Sequence, residues 1–196
     1  SPVAVLGVGG IGFLNLGTNL PDTTPPVISV SQTPLPNANG WNNTDVTVTF
    51  TATDDTSIPI CAVDTYTLTD EVYGQEVSTY CWDAAGNSAF ASHTVYIDKT
   101  APGLIMPSLA SSYPVNSYVE FTFDTIETLS GLTSLSATLN GNPISYGDWI
   151  VLDQLGTNTF TLTATDYAGN TESQTLQFTV TDPLTLTNIT VTSETS

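Results

Sequence analysis

Nineteen carboxylates, one histidine, two cysteines and a single Lys or Arg are the groups with which this 196-residue chain could do chemistry. Carboxylates work in pairs as general acid and base, or they gather around a hard cation such as Ca2+, which takes about six to eight oxygens. His93 is a lone imidazole with no nucleophile-elbow pattern and no second histidine. It reads as a surface residue of a strand. No glycine loop carries a lysine that could cradle phosphate. No catalytic residue is assigned, and the chain is expected not to be an enzyme. Cys61 and Cys81 stand 20 residues apart, too few thiols for a structural zinc site. They either close a disulfide, worth on the order of 3 kcal/mol, or remain two buried thiols. Lys99 is expected to be solvated and not cross-linked to an asparagine. Asn42 and Asn188 each begin an Asn-x-Thr sequon that would accept a glycan if the host has the machinery.

The charge excludes partners more firmly than it suggests any. Nineteen acids against one base give −18 with only 10% of residues charged, so the excess comes from missing bases. Nucleic acid and anionic membrane surfaces need several Lys or Arg and are excluded. A hydrophobic fraction of 40% is too high for a disordered acidic tail. The longest apolar stretch, residues 3–20, is interrupted by Gly7, Gly9, Gly10, Gly12 and Gly17. That makes it a poor membrane helix, and it lacks the basic flank of a signal peptide. A chain starting at Ser1 is consistent with secretion and loss of a leader.

These groups must be positioned by strands. Val46-Thr-Val48-Thr-Phe50, Tyr66-Thr-Leu68-Thr, Thr94-Val95-Tyr96-Ile97, Phe160-Thr-Leu162-Thr and Leu176-Gln-Phe178-Thr-Val180 all alternate with period two. No segment holds a helical period, so the chain reads as all-β. Turn signals lie between the strands at Asn39-Gly40, Tyr73-Gly74, Asn140-Gly141, Tyr146-Gly147 and Leu155-Gly156. The same landmarks then occur twice. Asp22-Thr-Thr24-Pro-Pro26 matches Asp98-Lys-Thr100-Ala-Pro102, Val46 to Phe50 matches Val119 to Phe123, and Asp83-Ala-Ala-Gly86-Asn87 matches Asp166-Tyr-Ala-Gly169-Asn170. The offsets are 76, 73 and 83 residues, which means two stacked domains. The Asp-x-Ala-Gly-Asn motif is a turn-fixing device: the Asp accepts backbone N–H bonds and the Gly takes a positive φ.

A Thr-rich strand leading to an acidic turn, the Asp-x-Ala-Gly-Asn hairpin and the Ile-Asp-Lys-Thr-Ala-Pro linker resemble tandem bacterial immunoglobulin-like domains of secreted or cell-surface proteins. The cysteine spacing resembles a disulfide-bearing subgroup of them, and Ala164 replaces the second cysteine in the second unit. The resemblance covers about residues 22–182 and implies two immunoglobulin-like β-sandwiches, residues 22–98 and 99–182; the apolar segment 1–21 and a strand or tail 183–196 lie outside it. It also implies which loops meet. One end of the second sandwich should gather Asp98, Asp124, Glu127, Asp166 and Asn170, and the first should gather Asp22, Asp54, Asp55, Asp83 and Asn87. Either these acids hold Ca2+ or they are separate turn caps facing solvent.

The N-terminal segment is too apolar to float in water and too Gly-rich for a helix. Val3, Val5, Leu6, Val8, Ile11, Phe13, Leu14 and Leu16 are its apolar residues, followed by a stiff connector with Pro21, Pro25 and Pro26. Such a segment could complete the sandwich of a neighbouring copy, as in donor-strand pili, and propagate a head-to-tail homopolymer. It could also fold back on its own domain, or remain a disordered tail. The leading expectation is a non-enzymatic extracellular subunit of a prokaryotic surface filament or layer. A spacer or adhesin module, and an accessory, carbohydrate-binding module of a secreted hydrolase, are the alternatives. An aromatic platform would favour the last, but Trp41, Trp82 and Trp149 do not cluster in sequence, and Trp82 is expected to pack near the disulfide.

Overall fold

A computed structural model describes residues 21–183, in which every regular element is a strand. Six strands come first: β1 (Val27–Thr33), β2 (Val46–Thr53), β3 (Ile60–Cys61), β4 (Thr65–Leu68), β5 (Val72–Trp82) and β6 (Ser88–Ile97). Nine follow: β7 (Gly103–Ile105), β8 (Ser112–Pro114), β9 (Ser117–Phe121), β10 (Asp124–Ile126), β11 (Leu132–Leu139), β12 (Asn142–Ile144), β13 (Asp148–Leu152), β14 (Gly156–Asp166) and β15 (Thr171–Thr181). All five alternating stretches fall in strands, save Thr69 just past the end of β4. No helix among the described residues is long and apolar enough to cross a membrane.

Strand order defines the sandwich. In the first group the sheets run β1-β2-β4 and β3-β5-β6, the A-B-E and C-F-G division of an immunoglobulin-type fold without strand D. In the second group β12-β11-β14-β15-β8 forms the larger sheet, while β13 pairs with β9 and β10 with β7. The B strand expected as one run from Val119 to Phe123 is therefore broken. Val119 to Phe121 bond to β13, Thr122 and Phe123 lie in no strand, and β10 just beyond them bonds to β7. Strand β8 lies parallel to β15, and Asn42 makes the corresponding parallel bridge to Ile97 in the first group. No ladder joins the two groups, and residues 98–102 run between them.

Each group closes over its own core. Alternation buries Val46, Val48 and Phe50 of β2 against Val77, Val95 and Ile97. The second core is larger and more aromatic: Phe121, Phe123, Phe160 and Phe178 join Ala137, Leu139, Leu152, Leu162 and Val180. Phe160 lies 5.6 Å from Phe121 and 5.7 Å from Phe123, ring centre to ring centre. This is how the second unit manages with Ala164, fully buried, where the first has Cys81.

Cys61 and Cys81 do form a disulfide. It joins directly opposed residues of β3 and β5, so it staples a two-residue strand onto its own sheet and does not cross the sandwich. Replacing both cysteines by serine should cost on the order of 3 kcal/mol, read as a lower urea midpoint. Equal midpoints for the reduced wild type and the double variant would attribute the whole loss to the bond. Alternation puts Cys81 inside and Trp82 outside, so Trp82 stands beside Tyr80 on the outer face of the sheet.

Two glycine-marked sites differ in kind. Asn140 and Gly141, at φ 53° and 81°, make the two-residue turn between β11 and β12. Tyr73-Gly74, expected as a turn, instead lies inside β5 at the irregularity between Val72 and Gln75. Gly74 has φ 80°, and a Cβ there would stand 3.3 Å from the Tyr96 ring. The strand continues because its buried alternation resumes at Val77.

Candidate metal centres

The two acidic series converge as two triads. Oxygens of Asp22, Asp54 and Asp83 lie within 4.8 Å of one another, and so do those of Asp98, Glu127 and Asp166. Each triad takes one acid from the segment before its sandwich, one from the loop that ends the B strand and one from the hairpin between the last two strands. The sequence repeat therefore maps one triad onto the other residue by residue.

The hairpin acid is a turn cap first. In the second unit the Gly169 and Asn170 N–H groups donate to Asp166 Oδ1 at 2.7 and 2.8 Å, with Gly169 at φ 93°. In the first, the Asn87 N–H donates to Asp83 Oδ1 at 2.8 Å. The asparagine that closes each motif donates its amide to the same carboxylate, at 2.6 Å for Asn87 and 2.8 Å for Asn170. It also donates to the carbonyl of the leading acid, Asp22 at 3.2 Å and Asp98 at 2.9 Å. Those leading acids are themselves turn caps, Asp22 for the Thr24 N–H and Asp98 for the Thr100 N–H. Asn170 thus enters the cluster as a hydrogen-bond donor.

These turn bonds leave lone pairs unused, and the surroundings supply no cationic side chain to meet them. Asp98 and Asp166 are fully buried and Asp83 nearly so. The one Lys, Lys99, is turned elsewhere: its ammonium pairs with Asp45 and the Thr69 carbonyl. It is docked on the first unit, and among the described residues its ammonium meets no asparagine side chain. Its own N–H and the Thr100 hydroxyl donate to Glu71. The Thr100 hydroxyl first, and the Lys99 N–H after it, hold the Glu71 carboxyl below its ordinary range. At Asp54 desolvation pushes upward, but the N–H groups of Thr56 and Ser57 and the Thr56 hydroxyl outweigh it and lower the group. Two buried side-chain atoms have no hydrogen-bond partner among the described residues, Asp54 Oδ1 and Ser130 Oγ. One belongs to the first triad, and the other to the residue whose N–H donates to Asp98 Oδ2 at 3.1 Å. Three carboxylates offer up to six oxygens, and the donor set is hard. Both features fit Ca2+.

Other expected site residues are placed differently. Asp124 is not brought into the triad: it sits in β10 opposite Ile105, exposed, while its neighbour Phe123 takes the buried position. Asp55 likewise points to solvent beside Asp54. Asn42, one of the two sequon asparagines, is only 5% exposed. Its amide donates to the Pro34 and Leu35 carbonyls and its Oδ1 accepts from Gln32, which leaves no room for a glycan. His93 is not a free surface residue either: it is half-buried and its Nε2 meets Gln32 Oε1 at 2.8 Å. The net ties β6 to β1 and to the segment at Asn42. Asn188 and the apolar residues from Val3 to Leu16 lie outside the described residues.

No family model matches the chain, and no curated protein matches it. Among solved structures, the fibronectin(III)-like modules of CbhA from Clostridium thermocellum align with 85% of this chain and 100% of theirs, at 10% identity and a TM-score of 0.40. A 1.5-MDa bacterial ice-binding adhesin aligns with 82% of this chain and 67% of its own, at 18% identity and 0.35. A pair of titin Ig tandem domains aligns with 80% and 97%, at 11% identity and 0.30. The strand order itself carries the assignment of this chain to immunoglobulin-like all-β sandwiches.

Proposed function

We propose that this chain is a non-enzymatic structural subunit of an extracellular, prokaryotic surface filament or layer, in which residues 1–20 of one copy complete the first sandwich of the next. The observation that carries the reading is the free edge of β4. Among the described residues it bonds to β2 on one side and to no strand on the other. Beside it, an open groove of about 560 Å³ runs along β4 and the start of β5, floored by Tyr66, Leu68, Val72 and Val77. In the second unit β12 extends the other sheet, beyond the strand that corresponds to β3, and β13, the counterpart of β4, is likewise paired on one side alone among the described residues. A bare edge of this kind invites pairing with another chain, and an added strand gains main-chain hydrogen bonds while its alternate side chains fill pockets. In an extended run Val3, Val5, Ile11 and Phe13 would fall on one face and Leu6, Val8, Leu14 and Leu16 on the other, so either face offers apolar side chains to an acceptor groove.

The two sandwiches act as domains in this reading, and the triads stiffen them. Ca2+ held by Asp98, Glu127 and Asp166 would tie the linker to two loops of the second unit, and Asp22, Asp54 and Asp83 would do the same at the start of the first. The partner is a second copy, and the contact is heterologous and open-ended. The deciding comparison is full-length protein against a variant lacking residues 1–20, by negative-stain microscopy and light scattering. The full chain should form fibres and the truncated one folded monomers. Fibres from the truncated chain, or monomeric full-length protein at high concentration, would defeat the proposal.

A further inference from the structure

Exposed aromatic rings are concentrated on one sheet face of the first unit. Tyr80 and Trp82 occupy consecutive outward positions of β5, and Phe90 stands directly opposite Tyr80 on β6. Their exposures are 53%, 43% and 53%, and none of them belongs to the buried core of the first unit. Tyr80 and Trp82 lie within 22° of parallel with centres 6.4 Å apart, and Phe90 is 4.8 Å from Tyr80. Ile60, opposite Trp82 on β3, extends the patch. Around the rings the same face carries hydroxyls, Ser88 and Ser92 on β6 and Ser78 on β5, and its charged member is Glu76, four positions along from Tyr80. The second unit repeats the device on a different sheet. Tyr118 of β9 and Trp149 of β13 are 63% and 54% exposed, 5.4 Å apart and within 25° of parallel.

We propose that the Tyr80–Trp82–Phe90 face binds a neutral polysaccharide, with Tyr118 and Trp149 as a second contact for the same class of polymer. The chemistry selects that occupant. A sugar ring presents an apolar C–H face that packs on an aromatic ring, while its rim of hydroxyls needs nearby donors and acceptors such as the serines here. An acidic polymer is excluded by a chain of net charge −18 with one base. A basic protein partner would find one carboxylate on this face, at its far end. A large apolar patch on an otherwise hydroxyl-rich surface marks an interaction site. Two such contacts on one chain allow a long polymer to be held with avidity. The proposal stands whether or not the chain polymerises.

The test is biolayer interferometry of the full-length chain over immobilised dextran, hydroxyethyl cellulose, galactomannan and arabinoxylan, with heparin and alginate as anionic controls. At least one neutral polymer should bind and neither anionic one should. Tyr80→Ala and Trp82→Ala should each weaken binding at least about tenfold, which corresponds to about 1.4 kcal/mol. Trp149→Ala should accelerate dissociation, and an unchanged far-ultraviolet dichroism and melting midpoint would show that the variants remain folded. No binding to any neutral polymer would overturn the proposal. So would binding that survives Trp82→Ala, binding to the anionic polymers alone, or a Trp82→Ala change confined to self-association in sedimentation.

Discussion

Millimolar Ca2+ should raise the melting temperature of this protein by about 10 to 20 °C, and EDTA should return it to the lower value. A ligand at about 100 times its Kd that binds only the folded state contributes about 2.7 kcal/mol. In a unit of about 80 residues each kcal/mol moves the midpoint by about 4–8 °C. The triads are the source, because Asp98 and Asp166 are buried carboxylates whose oxygens approach Glu127 within 4.8 Å with no lysine or arginine to balance them. Asp166→Asn separates the two roles of that side chain. The amide oxygen still accepts from the Gly169 and Asn170 N–H groups, so the hairpin survives. The charge and one ligand oxygen are gone, so the calcium response of the second unit should disappear while that of the first remains. Asp83→Asn should do the reverse. If the triads are only turn caps, Ca2+ changes neither midpoint, and Asp166→Asn costs only the bond that Oδ2 accepts from the Asn170 amide, in Ca2+ and in EDTA alike.

The parts of the fold set by local rules were legible in the chain. Period-two runs such as Val46 to Phe50 became strands because one sheet face is buried, and Asp-x-Ala-Gly-Asn became a hairpin because its bonds close within five residues. The triads were nearly legible, since the repeat aligns Asp54 with Glu127 and Asp83 with Asp166. Asp124 was misplaced because the break between β9 and β10 rests on pairing with β7 and β13, strands remote in sequence. Asn42 carried a surface sequon but was drawn inward by the Gln32 amide and two carbonyls. The aromatic faces were hidden for the same reason. Tyr118 and Trp149 are 31 residues apart in sequence, and they meet only as diagonal neighbours in the antiparallel register of β9 and β13.

Phe160→Ala should destabilise the second unit by about 3–5 kcal/mol and leave the first unit as it was. The side chain is fully buried and touches Phe121 and Phe123, so truncation removes apolar burial and leaves a cavity walled by rigid rings. Loss of that size is a large fraction of what a small domain has in total. The effect stays local because neither sheet nor core is shared: the ladders of the first group end at Ile97 and those of the second begin at Gly103. The first core, Val46, Val48, Phe50, Val77, Val95 and Ile97, has no member in common with the second. Sites without shared partners add independently. Calorimetry of the variant should therefore show one transition displaced to lower temperature and the other in place. The same scan with the disulfide reduced should displace the opposite transition, because Cys61 and Cys81 staple only the first unit. A single transition that moves as a whole in both experiments would mean that the contacts between the units, such as the Asn37 and Asn39 amides on the Tyr167 carbonyl at 2.8 and 3.0 Å, couple them into one cooperative block.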